Sequence, residues 1–204
     1  MTKADIVLAG VGGQGVLTGA GLLAEAARRA GFTVKQGEIH GMSQRGGAVT
    51  ANLRMAEGPV ASDLIPRGAA TMILSLEPVE ALRWLPYLAE EGVVVTSSSP
   101  VENIPDYPPL ADVLEELARL PRAMVVDADV LAKKAGSGRA NNVVMLGAAS
   151  ALLPFPGPLL RAVVAEYFGA RGPRMEEINL KAFDAGQTAA GGGAADEETG
   201  EAVG

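Results

Sequence analysis

The chain has 204 residues, 48% hydrophobic but only 4% aromatic, which is enough for one core built from Ala, Val, Leu and Ile. Its formal net charge is −7, of which Asp196, Glu197, Glu198 and Glu201 supply −4 and leave −3 for residues 1–186, so the body offers no basic patch to nucleic acid. The absence of cysteine excludes disulfides, thiolate zinc sites and any iron–sulfur cluster held by thiolates of this chain.

The opening residues lack the charged-then-apolar layout of a signal peptide, and no apolar run reaches the roughly 18 residues of a membrane span, so a cytoplasmic location without membrane contact is expected. Residues 6–9, Ile-Val-Leu-Ala, form a short apolar run between Asp5 and Gly10 and predict a buried strand. A helix follows over about residues 15–30, with Val16, Leu17, Leu22, Leu23, Ala26 and Ala27 at helical spacing and Gly31 as its stop. Residues 32–36 predict a second strand. Residues 48–55 alternate apolar with polar side chains, the pattern of a half-exposed strand and one compatible with antiparallel pairing. Further strands are expected over 71–76, 93–96 and 123–126, and helices over 79–88, 110–120 and from an Asp127 cap to residue 135. Prolines punctuate the 97–109 connection. The remainder reads as helical, over 141–153, 158–168 and 175–188.

Strands alternating with helices predict a three-layer α/β/α, Rossmann-like fold with a mostly parallel sheet and a helical C-terminal part. Residues 1–188 are expected to form a single domain. Residues 189–204, an acidic Gly/Ala segment with almost nothing to bury, are expected to form a disordered tail.

Two glycine-rich turns concentrate the chemistry. The first, Gly10-Val11-Gly12-Gly13-Gln14-Gly15, closes the first strand and opens the first helix. Gly10, Gly12 and Gly15 fit G-x-G-x-x-G, where bare backbone at a helix N-terminus can receive an anion such as a cofactor phosphate. Gly13 adds a further small residue and Gln14 an amide contact. The same glycines suit tight strand–helix packing with no ligand at all. Glu38 lies 23 residues beyond Gly15, near where a dinucleotide fold places its ribose-binding acid, though a solvated loop residue would satisfy the pattern equally.

The second turn runs from Glu38 through Ile39, His40, Gly41, Met42, Ser43, Gln44 and Arg45 to Gly46 and Gly47, and is expected to neighbour the first. His40 is the chain's sole imidazole, able to act as acid, base or hydrogen-bond donor near neutrality. Ser43, Gln44 and Arg45 stand beside it, and Gly46-Gly47 leaves room for a bulky or anionic group. Arg45 offers a bidentate guanidinium to a carboxylate or phosphate. His40 and Arg45 are therefore the candidates for catalysis, and the whole segment for contact with a ligand or a partner chain.

Glu77 follows the 71–76 strand and should reach the carboxyl edge of the sheet, where open α/β folds bind ligands. With Pro78 at the first helical position and Glu80 in the first turn, it equally suits a plain helix start. Asn141-Asn142 resembles the asparagine pair that ends a thiamine diphosphate motif, but the preceding Gly-Asp-Gly is missing and an N-cap is the better expectation. No Ser–His–acid spacing and no metal-ligand cluster stands out.

Taken together, Gly10–Gly15, Glu38–Gly47, Leu76-Glu77-Pro78 with Glu80-Ala81-Leu82-Arg83, and Asn141-Asn142 resemble the gamma-type component of 2-oxoacid:ferredoxin oxidoreductases, most of all its indolepyruvate-type members. Order and spacing agree over about residues 4–185. The stretch from His40 to Gly47 is far more specific than the glycine loop. The resemblance implies a subunit in the oxidative decarboxylation of an arylpyruvate such as indolepyruvate to its acyl-coenzyme A, with ferredoxin as acceptor. It also implies a large partner subunit that carries thiamine diphosphate, magnesium and iron–sulfur clusters, none of them held by this chain, with coenzyme A as co-substrate. On that reading Gly10, Gly12, Gly13, Gln14 and Gly15 face the cofactor. Glu38, His40, Ser43, Gln44, Arg45, Gly46, Gly47, Glu77 and Asn141 then face substrate, coenzyme A or the subunit interface. Two other readings stay open: a stand-alone dinucleotide-binding or regulatory module using Gly10–Gly15 and Glu38, and a purely structural assembly subunit.

Overall fold

The computed structural model describes residues 2–40, 46–102 and 104–193. Six strands form one sheet: β1 (Lys3–Val11), β2 (Thr33–His40), β3 (Ala48–Ala56), β4 (Ala70–Ser75), β5 (Leu88–Ser97) and β6 (Ala123–Val126), in the order β2-β3-β1-β4-β5-β6. β1, β4, β5 and β6 run parallel, whereas β3 is antiparallel to both β1 and β2. The alternating 48–55 segment is thus the antiparallel strand, and β2 points the same way as β1 with β3 between them. The helices are α1 (Val16–Arg29), α2 (Pro78–Arg83), α3 (Leu110–Ala118), α4 (Ala128–Ala135), α5 (Asn141–Ala149), α6 (Gly157–Gly169) and α7 (Pro173–Gly193).

Side chains alternate across a strand, so each central strand feeds two cores. Ile6 and Leu8 of β1, Leu53 and Met55 of β3, Met72 and Leu74 of β4 and Val95 of β5 pack against α1, α4, α5, α6 and α7. Val7, Ile73 and Val94 point the other way and meet Ala81 of α2, Val113 and Leu117 of α3, and Ile65. This makes the expected three layers, with a thick helical layer on one face and a thin one on the other. Burial on both faces explains why β1 reads as an uninterrupted apolar run.

Several boundaries lie elsewhere than the apolar pattern predicts. The 79–88 helix stops at Arg83 and is followed by a 3-10 turn over Leu85–Tyr87, because Pro86 has no N–H to give the Leu82 carbonyl. β5 then starts at Leu88 rather than at residue 93. α5 likewise stops at Ala149, and a 3-10 turn over Ser150–Leu152 leads to Pro154. α7 extends to Gly193, five residues into the segment read as a tail; residues 194–204 lie outside the described residues. The polar face of β3 is not half-exposed, since Thr50 and Asn52 are each only 3% exposed. Residues 57–69 cover it: Arg54 Nη1 donates to the Ser62 and Leu64 carbonyls at 3.3 and 3.0 Å, and Arg54 Nε donates to buried Asp5 at 2.8 Å.

Candidate functional site

The carboxyl edge of the sheet is built around the first glycine turn. β1 and β3 stay in register to their ends, Gly10 opposite Val49 and Val11 opposite Ala48, and the Gly12 N–H then donates to the Gly47 carbonyl at 2.8 Å. The two glycine turns are therefore joined backbone to backbone, as their sequence positions predict. Gln14 clasps the turn from inside: its Oε1 accepts from the Val11 N–H at 2.7 Å, and its Nε2 donates to the Leu76 carbonyl at 2.9 Å. The amide expected to face a ligand is thus used to tie β1 to the end of β4. Gly10 is required by this clasp, because a Cβ there would lie 2.9 Å from both Gln14 Oε1 and Val16 Cγ2.

Gly15 caps α1 with φ 85°, a left-handed conformation that side chains resist. A Cβ on it would also come within 2.6 Å of Asn142 Nδ2, which donates to the Gly15 carbonyl at 3.4 Å. Of the asparagine pair it is therefore Asn142, 7% exposed, that supports the glycine turn. Asn141, the residue singled out from sequence, points elsewhere: its Nδ2 donates to Asp129 of α4 at 2.9 Å, and its Oδ1 accepts the Asn142 N–H at 2.8 Å. Helical phasing was the available signal, since Asn142 and Leu146 are one turn apart and together line the small cavity under Gly15 and Gly19. Gly13, also at positive φ, faces open space.

The second turn begins inside β2 rather than after it. Glu38, Ile39 and His40 are strand residues paired with Ala51, Thr50 and Val49 of β3. His40 is level with Val49 and so with Gly10, two strand spacings or about 10 Å across the sheet. Gly46 and Gly47 lead into β3, whereas Gly41, Met42, Ser43, Gln44 and Arg45 lie outside the described residues. Glu38 is exposed, accepts from Gln36 Nε2 at 3.0 Å and, through Ala51, is level with Leu8 in mid-strand. A ribose-binding acid should stand at the end of the strand beside β1. Here β3 occupies that place, so Glu38 does not take the dinucleotide position.

Glu77 caps α2 from the carboxyl end of β4, as the helix-start reading predicts. It is 1% exposed, and its Oε2 accepts the Glu80 N–H at 2.8 Å. Its Oε1 accepts from the Val101 N–H at 3.3 Å and from the Tyr107 hydroxyl, which fastens the proline-rich 98–109 connection over the edge of the sheet. Burial first, and the Glu77 hydrogen bond next, hold the Tyr107 proton well above the usual phenol range. One turn on, Glu80 is 3% exposed; Oε1 receives Arg83 Nη1 at 3.0 Å, and Oε2 has no hydrogen-bond partner among the described residues. Burial raises its pKa, Arg83 opposes that shift, and Glu77 adds to it. Neither Tyr107 nor the orphaned oxygen carries a sequence signal, because both depend on a fold-back from a distant loop or on helix burial. Among the described residues no group of three His, Cys, Asp or Glu could hold a metal ion, and no helix is long and apolar enough to cross a membrane.

Comparison with known proteins agrees with this architecture. The chain is 42% identical over 200 residues to the indolepyruvate oxidoreductase subunit IorB of Pyrococcus horikoshii, covering 93% of this chain and 97% of that one. Its fold is similar to the gamma subunit of a keto/oxoacid ferredoxin oxidoreductase from Geobacter sulfurreducens, with TM-score 0.68 at 24% identity over 93% of this chain and 99% of that one. It is also similar to 2-oxoglutarate:ferredoxin oxidoreductase from Magnetococcus marinus, solved with 2-oxoglutarate, coenzyme A and succinyl-CoA bound, with TM-score 0.74 at 21% identity. That match covers 94% of this chain and 32% of the other, so the chain spans about a third of the larger protein. The family model for pyruvate ferredoxin/flavodoxin oxidoreductase matches residues 5–189, and the chain belongs to that family.

Proposed function

We propose that this chain is the cofactor-free subunit of an indolepyruvate-type 2-oxoacid:ferredoxin oxidoreductase, completing a site whose thiamine diphosphate, magnesium and iron–sulfur clusters are on a large partner subunit. The observation that carries this reading is 42% identity to an indolepyruvate oxidoreductase subunit across nearly the full length of both chains. The donor chemistry supports the division of labour, since a chain without cysteine has no thiolate for a cluster. In the reaction the 2-oxoacid loses its carboxyl group as carbon dioxide, its acyl carbon forms a thioester with coenzyme A, and the electron pair passes to ferredoxin in the cytoplasm.

The part of this chain is to present the joined glycine turns, with His40, Ser43, Gln44 and Arg45 on the strand end and connection between them. Arg45 receives an anionic group of substrate or coenzyme, which a guanidinium can hold bidentately, and the clasp at Gln14 fixes the first glycine turn. Co-expression with the large subunit, followed by an assay of dye reduction dependent on arylpyruvate and coenzyme A, tests the reading. Activity requiring both chains is expected, and Arg45→Lys is expected to lower turnover or apparent substrate affinity by at least about tenfold. A large subunit equally active alone would refute the proposal, and an Arg45→Lys complex with unchanged kinetics would remove the role of Arg45.

A further inference from the structure

A cleft of about 210 Å³ opens beside the junction of the glycine turns, lined by Ala48, Glu80, Arg83, Trp84 and Tyr87. Its floor is chemically incomplete. Glu80 is 3% exposed yet leaves Oε2 without a donor among the described residues, and buried carboxyl oxygens are normally hydrogen-bonded. Glu77 and Glu80 are both buried at the start of α2, and Arg83 is the guanidinium paired with Glu80, through Oε1 alone. The walls are aromatic, with Trp84 and Tyr87 in contact at 4.9 Å between ring centroids. Arg83 is half-exposed, its side chain 47% accessible where it lies against Glu80.

We infer that this cleft receives one basic side chain, an arginine or lysine of the large partner subunit, which donates to Glu80 Oε2 and lies against Trp84. Two observations select that occupant: an acceptor without a donor among the described residues, and the face of Trp84, which attracts cations, whereas the Tyr87 ring already has Arg67 over it at 5.8 Å to its centroid. The volume suits a single long side chain rather than a coenzyme. Two guanidinium or ammonium groups then bridge one carboxylate, with Glu77 offsetting their mutual repulsion. The position fits a contact between subunits, because Ala48 directly follows the Gly46-Gly47 turn. The inference rests on the proposed assembly with a large subunit.

The test is the affinity of the full-length chain for that subunit, measured by interferometry at low and high ionic strength for the natural chain, Glu80→Gln and Trp84→Ala. A screened ion pair predicts that Glu80→Gln weakens association by about tenfold or more at low salt and flattens its salt dependence. Trp84→Ala is expected to weaken binding while keeping the salt dependence. Wild-type affinity and salt response in Glu80→Gln would overturn the inference, as would tighter binding, which would identify the occupant as an acidic or neutral group. If Glu80→Gln loses its cooperative melt, Trp84→Ala decides: unchanged affinity there also overturns it. A natural chain that does not associate at all sinks the subunit reading itself and this inference with it, whereas normal association with unaffected variants sinks only the inference.

Discussion

At the scale of single residues, the site uses side chains for construction where the sequence suggests contact. Gln14 reads as a ligand contact and Glu77 as either a ligand contact or a helix start, and both spend their polar atoms within the fold: Gln14 on the Val11 and Leu76 backbone, Glu77 on the Glu80 and Val101 backbone and the Tyr107 hydroxyl. A sequence shows that an amide stands in a turn, but the partner lies 62 positions away in the case of Leu76. Glycine roles were legible because Gly15 sits where a strand turns into a helix, a geometry that needs positive φ. Glu80 permits a prediction with a definite sign. Burial holds its folded pKa above the unfolded value of about 4.3, so the native state keeps the proton longer. That contribution is complete below the unfolded value and is lost as pH rises through the folded one. Urea unfolding of the isolated chain should therefore show stability falling over that window, and Glu80→Gln should remove this part of the fall. An identical pH profile in the variant would mean that Glu80 is not protonated preferentially in the fold.

At the scale of elements, apolar runs locate β1 and β4 within a few residues, since strands buried by two helical layers have little freedom of composition, whereas the partly exposed start of β5, residues 88–91, lies outside its apolar run. β2 was cut short at residue 36 because Gly37 and Glu38 are poor strand formers, and only pairing with β3 carries the strand on to His40. α5 and α7 illustrate what composition hides. By composition Gly147 interrupts an Ala- and Leu-rich helix, yet an added Cβ on it would lie 2.0 Å from the Phe183 carbonyl, and one on Gly186 of α7 would lie 1.9 Å from the Val144 carbonyl. The helices meet backbone against backbone at these points. Gly186→Ala should destabilise the chain by at least about 3 kcal/mol, because a carbonyl within a helix cannot step aside. Gly21→Ala is the control of opposite sign: it is exposed on α1 with nothing within 4 Å, and should stabilise by about 0.5–1 kcal/mol. Denaturant midpoints for the two variants moving in the same direction would contradict this account of α5 and α7.

At the scale of the whole molecule, fold class and layer order were readable from the alternation of strands and helices, but strand order was not. Nothing local says that β3 inserts between β1 and β2, since an antiparallel strand and a half-exposed parallel one share the same period of two. That insertion separates the glycine turn from Glu38 and removes the adjacency a dinucleotide site needs. Calorimetry of the isolated chain with NAD or FAD is therefore expected to give no saturable heat. Stoichiometric binding of either would restore the stand-alone module.

The hydrogen bond from Gly12 to Gly47 joins two main chains. Substituting either glycine by any residue but proline therefore removes neither donor nor acceptor, and an alanine scan would pass over the contact that holds the two turns together. Its survival depends on the β1–β3 register, so sequences that drift at both positions keep the junction as long as the ladder is kept. Recognition of distant members by glycine identity alone is then too strict a criterion, whereas an insertion of one residue into either strand would be too many.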